Sequence, residues 1–86
     1  MKKVYLLDDS LINISKVKTM SADPQYYYIK GNKKFQTCKI KIDDKIYECR
    51  NYEGEGADAK ITKKAKINFE QFEIQATAII CAFQDL

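Results

Sequence analysis

The chain has 86 residues, 45% of them hydrophobic and 31% charged, with a formal net charge of +3 and no histidine. This is enough for one small domain, residues 1–86, and the composition excludes a disordered or membrane-embedded chain. The longest strongly apolar run, Ala76 to Phe83, is too short to span a bilayer, and the lack of histidine removes His-based triads, Cys–His dyads and the usual zinc sites.

Met1 to Asp9 begins with lysines like a signal peptide. It reaches Asp8-Asp9 without an adequate apolar region, so a cytoplasmic protein is expected. The odd set Cys38, Cys49 and Cys81 then reads as reduced thiols. Asp8-Asp9 and Asp43-Asp44 are the only adjacent carboxylates, and both read as turn chemistry rather than a metal site. No metal, cofactor or catalytic constellation is expected, and an enzyme is the least favoured class.

Asp9-Ser10 would cap a helix in which Leu11, Ile14, Val17 and Met20 recur at helical spacing. The β-branched Ile12, Ile14 and Val17 leave a strand open as the alternative. Ala22-Asp23-Pro24 ends this element. Gln25 to Lys30 is Tyr-rich and strand-like, and Gly31-Asn32 is a turn signal. In Lys33 to Ile42, Cys38, Ile40 and Ile42 alternate with Lys39 and Lys41. A two-residue loop at Asp43-Asp44 would lead into a strand from Lys45 to Tyr52, setting Ile42 opposite Lys45, Ile40 opposite Tyr47, and Cys38 opposite Cys49. A pair of packed thiols is favoured there over a disulfide. Phe35 falls out of phase with this alternation, which implies a bulge or a misaligned strand.

Gly54-Glu55-Gly56 breaks the sheet. From Ala57 to Leu86, Ile61, Ala65, Phe69, Phe72, Ala76, Ile80 and Phe83 recur at helical intervals, with Asp58 as the expected N-cap. Phe72, Ile74, Ala76, Ala78 and Ile80 also alternate as a strand would; helix is favoured as far as Ala76, and both readings stay open for residues 76–86. The expected fold is α+β: one domain with a three-stranded antiparallel sheet packed against helices, in the order α-β-β-β-α.

Charge is uneven along the chain. Lys30, Lys33, Lys34, Lys39 and Lys41 form one basic group, and Lys60, Lys63, Lys64 and Lys66 a second. An acidic segment from Asp43 to Asp58 separates them. Local basic surface matters more to a polyanion than the net charge.

The order and spacing of several short motifs resemble the double-stranded RNA-binding domain family over about residues 10–76. Ser10-Leu11-Ile12-Asn13 is similar to the S-L-L-N of that family's first helix, and Pro24-Gln25-Tyr26 to its P-x-Y. Gly54-Glu55-Gly56 is similar to the G-x-G before its second helix, and Lys60, Lys63, Ala65 and Phe69 lie near its basic and small positions. Ile14 stands where the family carries a glutamate. The resemblance implies a non-catalytic module that prefers double-stranded RNA, read by shape through a helix start and a hairpin. The candidate contacts are Lys33, Lys34, Lys60, Lys63, Lys64 and Asn13, with Gly54 and Gly56 as structural turn residues.

A second class of function fits the same composition. In size and composition the chain resembles small phage-encoded anti-defence proteins of the anti-CRISPR kind, which implies an inhibitor or adaptor acting on a protein partner. Its acidic segment would mimic a nucleic-acid surface, or its C-terminal apolar stretch would form a homodimer.

Overall fold

In the computed structural model, which describes residues 3–23 and 26–85, the chain opens as a β-hairpin rather than a helix. Strands β1 (Val4–Leu7) and β2 (Ser10–Asn13) pair antiparallel, with Leu7 opposite Ser10. Asp8 and Asp9 form the loop at φ +48 and +64, the left-handed values of the hairpin turn whose twist matches the strands it joins. Pairing points Leu7 and Ile12 inward, where both are buried, and Leu6 and Leu11 outward. The expected helix over Leu11 to Met20 is absent. After β2 there is only a 3-10 turn, Ile14–Lys16, in which the Asn13 Oδ1 accepts from the Ser15 amide and hydroxyl.

The second sheet is built on β5 (Lys33–Ile42), the longest strand. One edge carries β3 (Met20–Ala22) beside residues 40–42 and β4 (Tyr26–Lys30) beside residues 33–37. The other edge carries β6 (Lys45–Arg50), paired to residues 37–42. Two short strands thus share the place of the single first strand expected, with the Pro24-Gln25 signal outside the described residues. The turn at Asp43-Asp44 gives the expected register: Ile42 faces Lys45, Ile40 faces Tyr47, and Cys38 faces Cys49. All three cysteines are free thiols. Burial, the largest cause for each, raises the thiol pKa of both Cys38 and Cys49.

Asp43, at φ +53, also locks the connection from the first hairpin. Its Oδ1 accepts from the Lys18 and Thr19 amides at 2.9 Å each, and its own amide donates to the Thr19 carbonyl.

The helix α1 spans Lys63–Gln84, so residues 76–84 are helical. It starts four residues later than expected. Thr62, not Asp58, is the N-cap, its hydroxyl accepting from the Ala65 amide at 3.1 Å. Residues Gly56–Asp58 form a separate 3-10 turn. The helix packs on β1, β3, β5 and β6, and its Phe72, Ala76 and Ile79 meet Leu7, Ile12, Ile14, Ile40 and Ile42 in one core. The architecture is α+β with one C-terminal helix and two antiparallel sheets of six strands among the described residues, not a three-stranded sheet with two helices. Among the same residues, no helix is long and apolar enough to cross a membrane.

Candidate nucleic-acid interface

Strand pairing sorts the second sheet into two faces, since directly opposed residues share a face and neighbours along a strand do not. Cys38, Ile40 and Ile42, with Tyr47 and Cys49 across from them, face α1. Among the described residues, no α-helix covers the opposite face. Lys30, Lys33, Lys39, Lys41 and Arg50 project there, with Tyr26, Tyr28, Ile46 and a single strand carboxylate, Glu48. Glu48 accepts from the Arg50 Nε at 2.9 Å, which is the first cause of the raised Arg50 pKa.

Phe35 belongs to this open face, and no bulge puts it there: both registers run unbroken through β5. It is nevertheless buried, at 2% exposure, because aromatic rings cover it. Tyr28 stacks on it with centroids 4.9 Å apart and planes 9° apart, and Tyr52 meets it edge-on at 5.3 Å. Tyr28 and Tyr52 in turn stand nearly perpendicular, at 77° and 6.2 Å. The Arg50 guanidinium lies 5.8 Å from the Tyr52 ring centre.

The loop after β6 completes the site. At Asn51, where β6 has ended, the backbone amide still donates to the Gln36 carbonyl at 3.1 Å, and the side chain adds two further bonds to β5. Its Oδ1 accepts from the Gln36 amide at 2.8 Å and its Nδ2 donates to the Lys34 carbonyl at 3.1 Å. Gly54 then turns at φ +84, where a Cβ would come within 2.9 Å of the Asp58 carbonyl oxygen. The loop closes on itself through reciprocal 2.8 Å backbone bonds between Glu53 and Lys60. Lys30 ties it to the hairpin by donating from Nζ to the Ala57 carbonyl at 2.9 Å.

A cleft lies on each side of the 3-10 turn. One, of about 310 Å³, is lined by Lys30, Asn32, Lys33, Phe35 and Lys60 among others, with no acidic side chain in its wall. The other, of about 540 Å³, is lined by Tyr28, Arg50, Tyr52, Gly54, Glu55 and Gly56.

Lys33 and Lys60, from separate basic groups of the sequence, therefore meet at one cleft. Lys63 and Lys64 begin α1, whose first turn holds no acidic residue, so lysine charge adds to the positive end of the helix dipole. Lys34 points to the other face, with its Nζ 4.4 Å from the Tyr27 ring centre. Asn13 lies in the first hairpin, engaged with Ser15, and does not join the site. Gly54 and Gly56 shape the loop rather than the helix start. Arg50 and Tyr52 were missed by sequence reasoning, although the expected register already put Arg50 on the face of Lys39 and Lys41. In the C-terminal apolar stretch, Ile79 is fully buried, and the half-buried Ile80 and Phe83 pack against the core.

No protein-family model, characterised protein or solved structure matches this chain.

Proposed function

We propose that the protein is a non-catalytic nucleic-acid-binding module that receives a phosphate backbone on its open sheet face. The supporting observation is that the strands place five cations and one carboxylate on that face, with Lys60 brought to its edge. Lysine and arginine release the counterions condensed on a polynucleotide, and this release supplies most sequence-independent affinity. The resemblance named duplex RNA as the form bound. With Ser10–Asn13 in a strand, what supports the reading is the cationic face, which suits any phosphate backbone.

The test is a titration against RNA and DNA at several salt concentrations. Three to five phosphate contacts give a log–log salt slope of about −2 to −4. The Lys33→Glu/Lys60→Glu double variant, folded by circular dichroism, should lose most of the affinity. Undiminished binding by that variant removes the site. A second reading, an inhibitor or adaptor for a protein partner, has one observation in its favour: Leu6 and Leu11 lie opposite each other facing outward, Leu11 at 75% exposure. It predicts no nucleic-acid affinity in a well-folded sample.

A further inference from the structure

We propose that the nucleic acid taken by this face is single-stranded, and that one unpaired base seats on Tyr28 in the cleft beside Tyr52 and Arg50. The inference rests on the nucleic-acid reading above and adds to it the form of the ligand.

The Tyr28 ring carries the argument. One of its faces lies flat on Phe35, which fixes the ring plane, while the residue as a whole remains 44% exposed. Tyr28 also lines the cleft, so its second ring face offers a stacking platform held rigid from below. Tyr52, nearly perpendicular to it, forms a wall that limits where a planar group can sit. Arg50 brings a cation to the same corner. Glu55 supplies an acceptor for the N–H groups on a base edge, and the Gly54 and Gly56 segment brings backbone to the cleft without side-chain bulk. A Cβ at Gly56 would meet nothing within 4 Å, so that wall is open.

The two clefts also have the right relation to each other. Tyr28 and Lys30 are two residues apart on one strand face, so the aromatic cleft and the lysine cleft are neighbours across the 3-10 turn. A single strand can place a base in the first and an adjoining phosphate among Lys30, Lys33 and Lys60. A duplex cannot, because its bases are stacked on each other and show only their edges in the grooves. Open sheets with cations and exposed aromatic rings bind single strands by this combination of stacking and backbone attraction.

The experiment compares four probes of equal length with the full chain: a single-stranded oligothymidylate, its RNA counterpart, an abasic strand with the same phosphates, and the paired duplex. The protein has no tryptophan, so quenching of its tyrosine emission reports stacking directly. Each probe is also titrated against Tyr28→Leu, which keeps an apolar cover on Phe35 and removes the π-face, and against Tyr52→Leu. Circular dichroism and thermal unfolding show that the variants are folded.

The expected result is at least about tenfold tighter binding of base-bearing single strands than of abasic strand or duplex, with tyrosine quenching. Tyr28→Leu should abolish that preference and leave affinity for the abasic strand unchanged. Equal affinity for all four probes, unaltered by Tyr28→Leu, overturns the base cleft and leaves the cationic-face reading standing. Binding to none of them overturns both.

Discussion

Replacing Asn51 tests whether a single side chain holds the junction between sheet and loop. The residue is 6% exposed, and its amide completes the edge of β5 where β6 ends. In Asn51→Ala the Gln36 amide loses this acceptor and the Lys34 carbonyl loses this donor. Each lost partner in a buried setting costs about 1–3 kcal/mol, and both bonds here are only partly buried, so the lower half of that range applies. The expected total is about 2–4 kcal/mol, or roughly 8–30 °C in Tm for a domain of this size. Urea unfolding followed by circular dichroism measures it. Asn51→Asp sharpens the test. A carboxylate still accepts from the Gln36 amide but cannot donate to the Lys34 carbonyl unless protonated. The folded state therefore raises the new carboxyl's pKa above its unfolded value. The variant should approach the parent at low pH and lose stability as pH rises through the raised pKa. A Asn51→Ala variant within about 0.5 kcal/mol of the parent, or no added pH dependence in Asn51→Asp, would refute the reasoning.

Three other outcomes are expected. Thr62→Ala should cost about 1 kcal/mol by unmaking the helix cap, whereas Asp58→Ala, with no capping role, should change unfolding by less than about 0.5 kcal/mol; the reverse order would restore the earlier helix start. The Thr19 and Lys18 amides, in that order, hold the Asp43 carboxyl below its usual pKa, so its contribution is present above the ordinary carboxylate range and lost as pH falls through the lowered value. Asp43→Asn should flatten the acid limb of a stability–pH profile, and an unchanged limb counts against the clamp. Gly54→Ala should be more destabilising than Gly56→Ala, because both have positive φ but only Gly54 has a carbonyl oxygen 2.9 Å from the added Cβ; thermal melts of the two variants rank them, and equal Tm values would remove the close approach as a cause.

The parts of the fold legible in the sequence are those governed by local periodicity. Alternation at Cys38, Ile40 and Ile42, joined to a two-residue loop, leaves only one register that keeps the apolar residues together, and the hairpin adopts it. The buried face of α1 follows from Phe69, Phe72 and Ala76 at helical spacing. The misreadings occurred where local signals were ambiguous. Leu11, Ile14 and Val17 suit a helix by spacing, but Asp8-Asp9 turns the chain into a hairpin that buries Leu7 and Ile12 in the core shared with α1. Residues 57–61 contain no helix breaker, yet Lys60 pairs with Glu53 instead.

The candidate site divides in the same way. Its strand half follows from the alternation: with Ile40 and Ile42 turned to the core, Lys39 and Lys41 must face outward, and pairing brings Arg50 to their side. What sequence by itself determined was therefore the period of each element and the chemistry each face carries, because side-chain direction along a strand or helix depends on near neighbours. Only the tertiary structure decided that the 54–58 loop folds back onto the hairpin, that Tyr52 and Tyr28 roof Phe35 on the open face, and that Lys60 joins Lys33 at one cleft. Apart from the cross-strand pair Tyr28 and Phe35, those contacts join residues 17 to 27 positions apart, and the bonds that set them, from Asn51 to β5 and from Lys30 to the Ala57 carbonyl, leave no periodic trace in the chain.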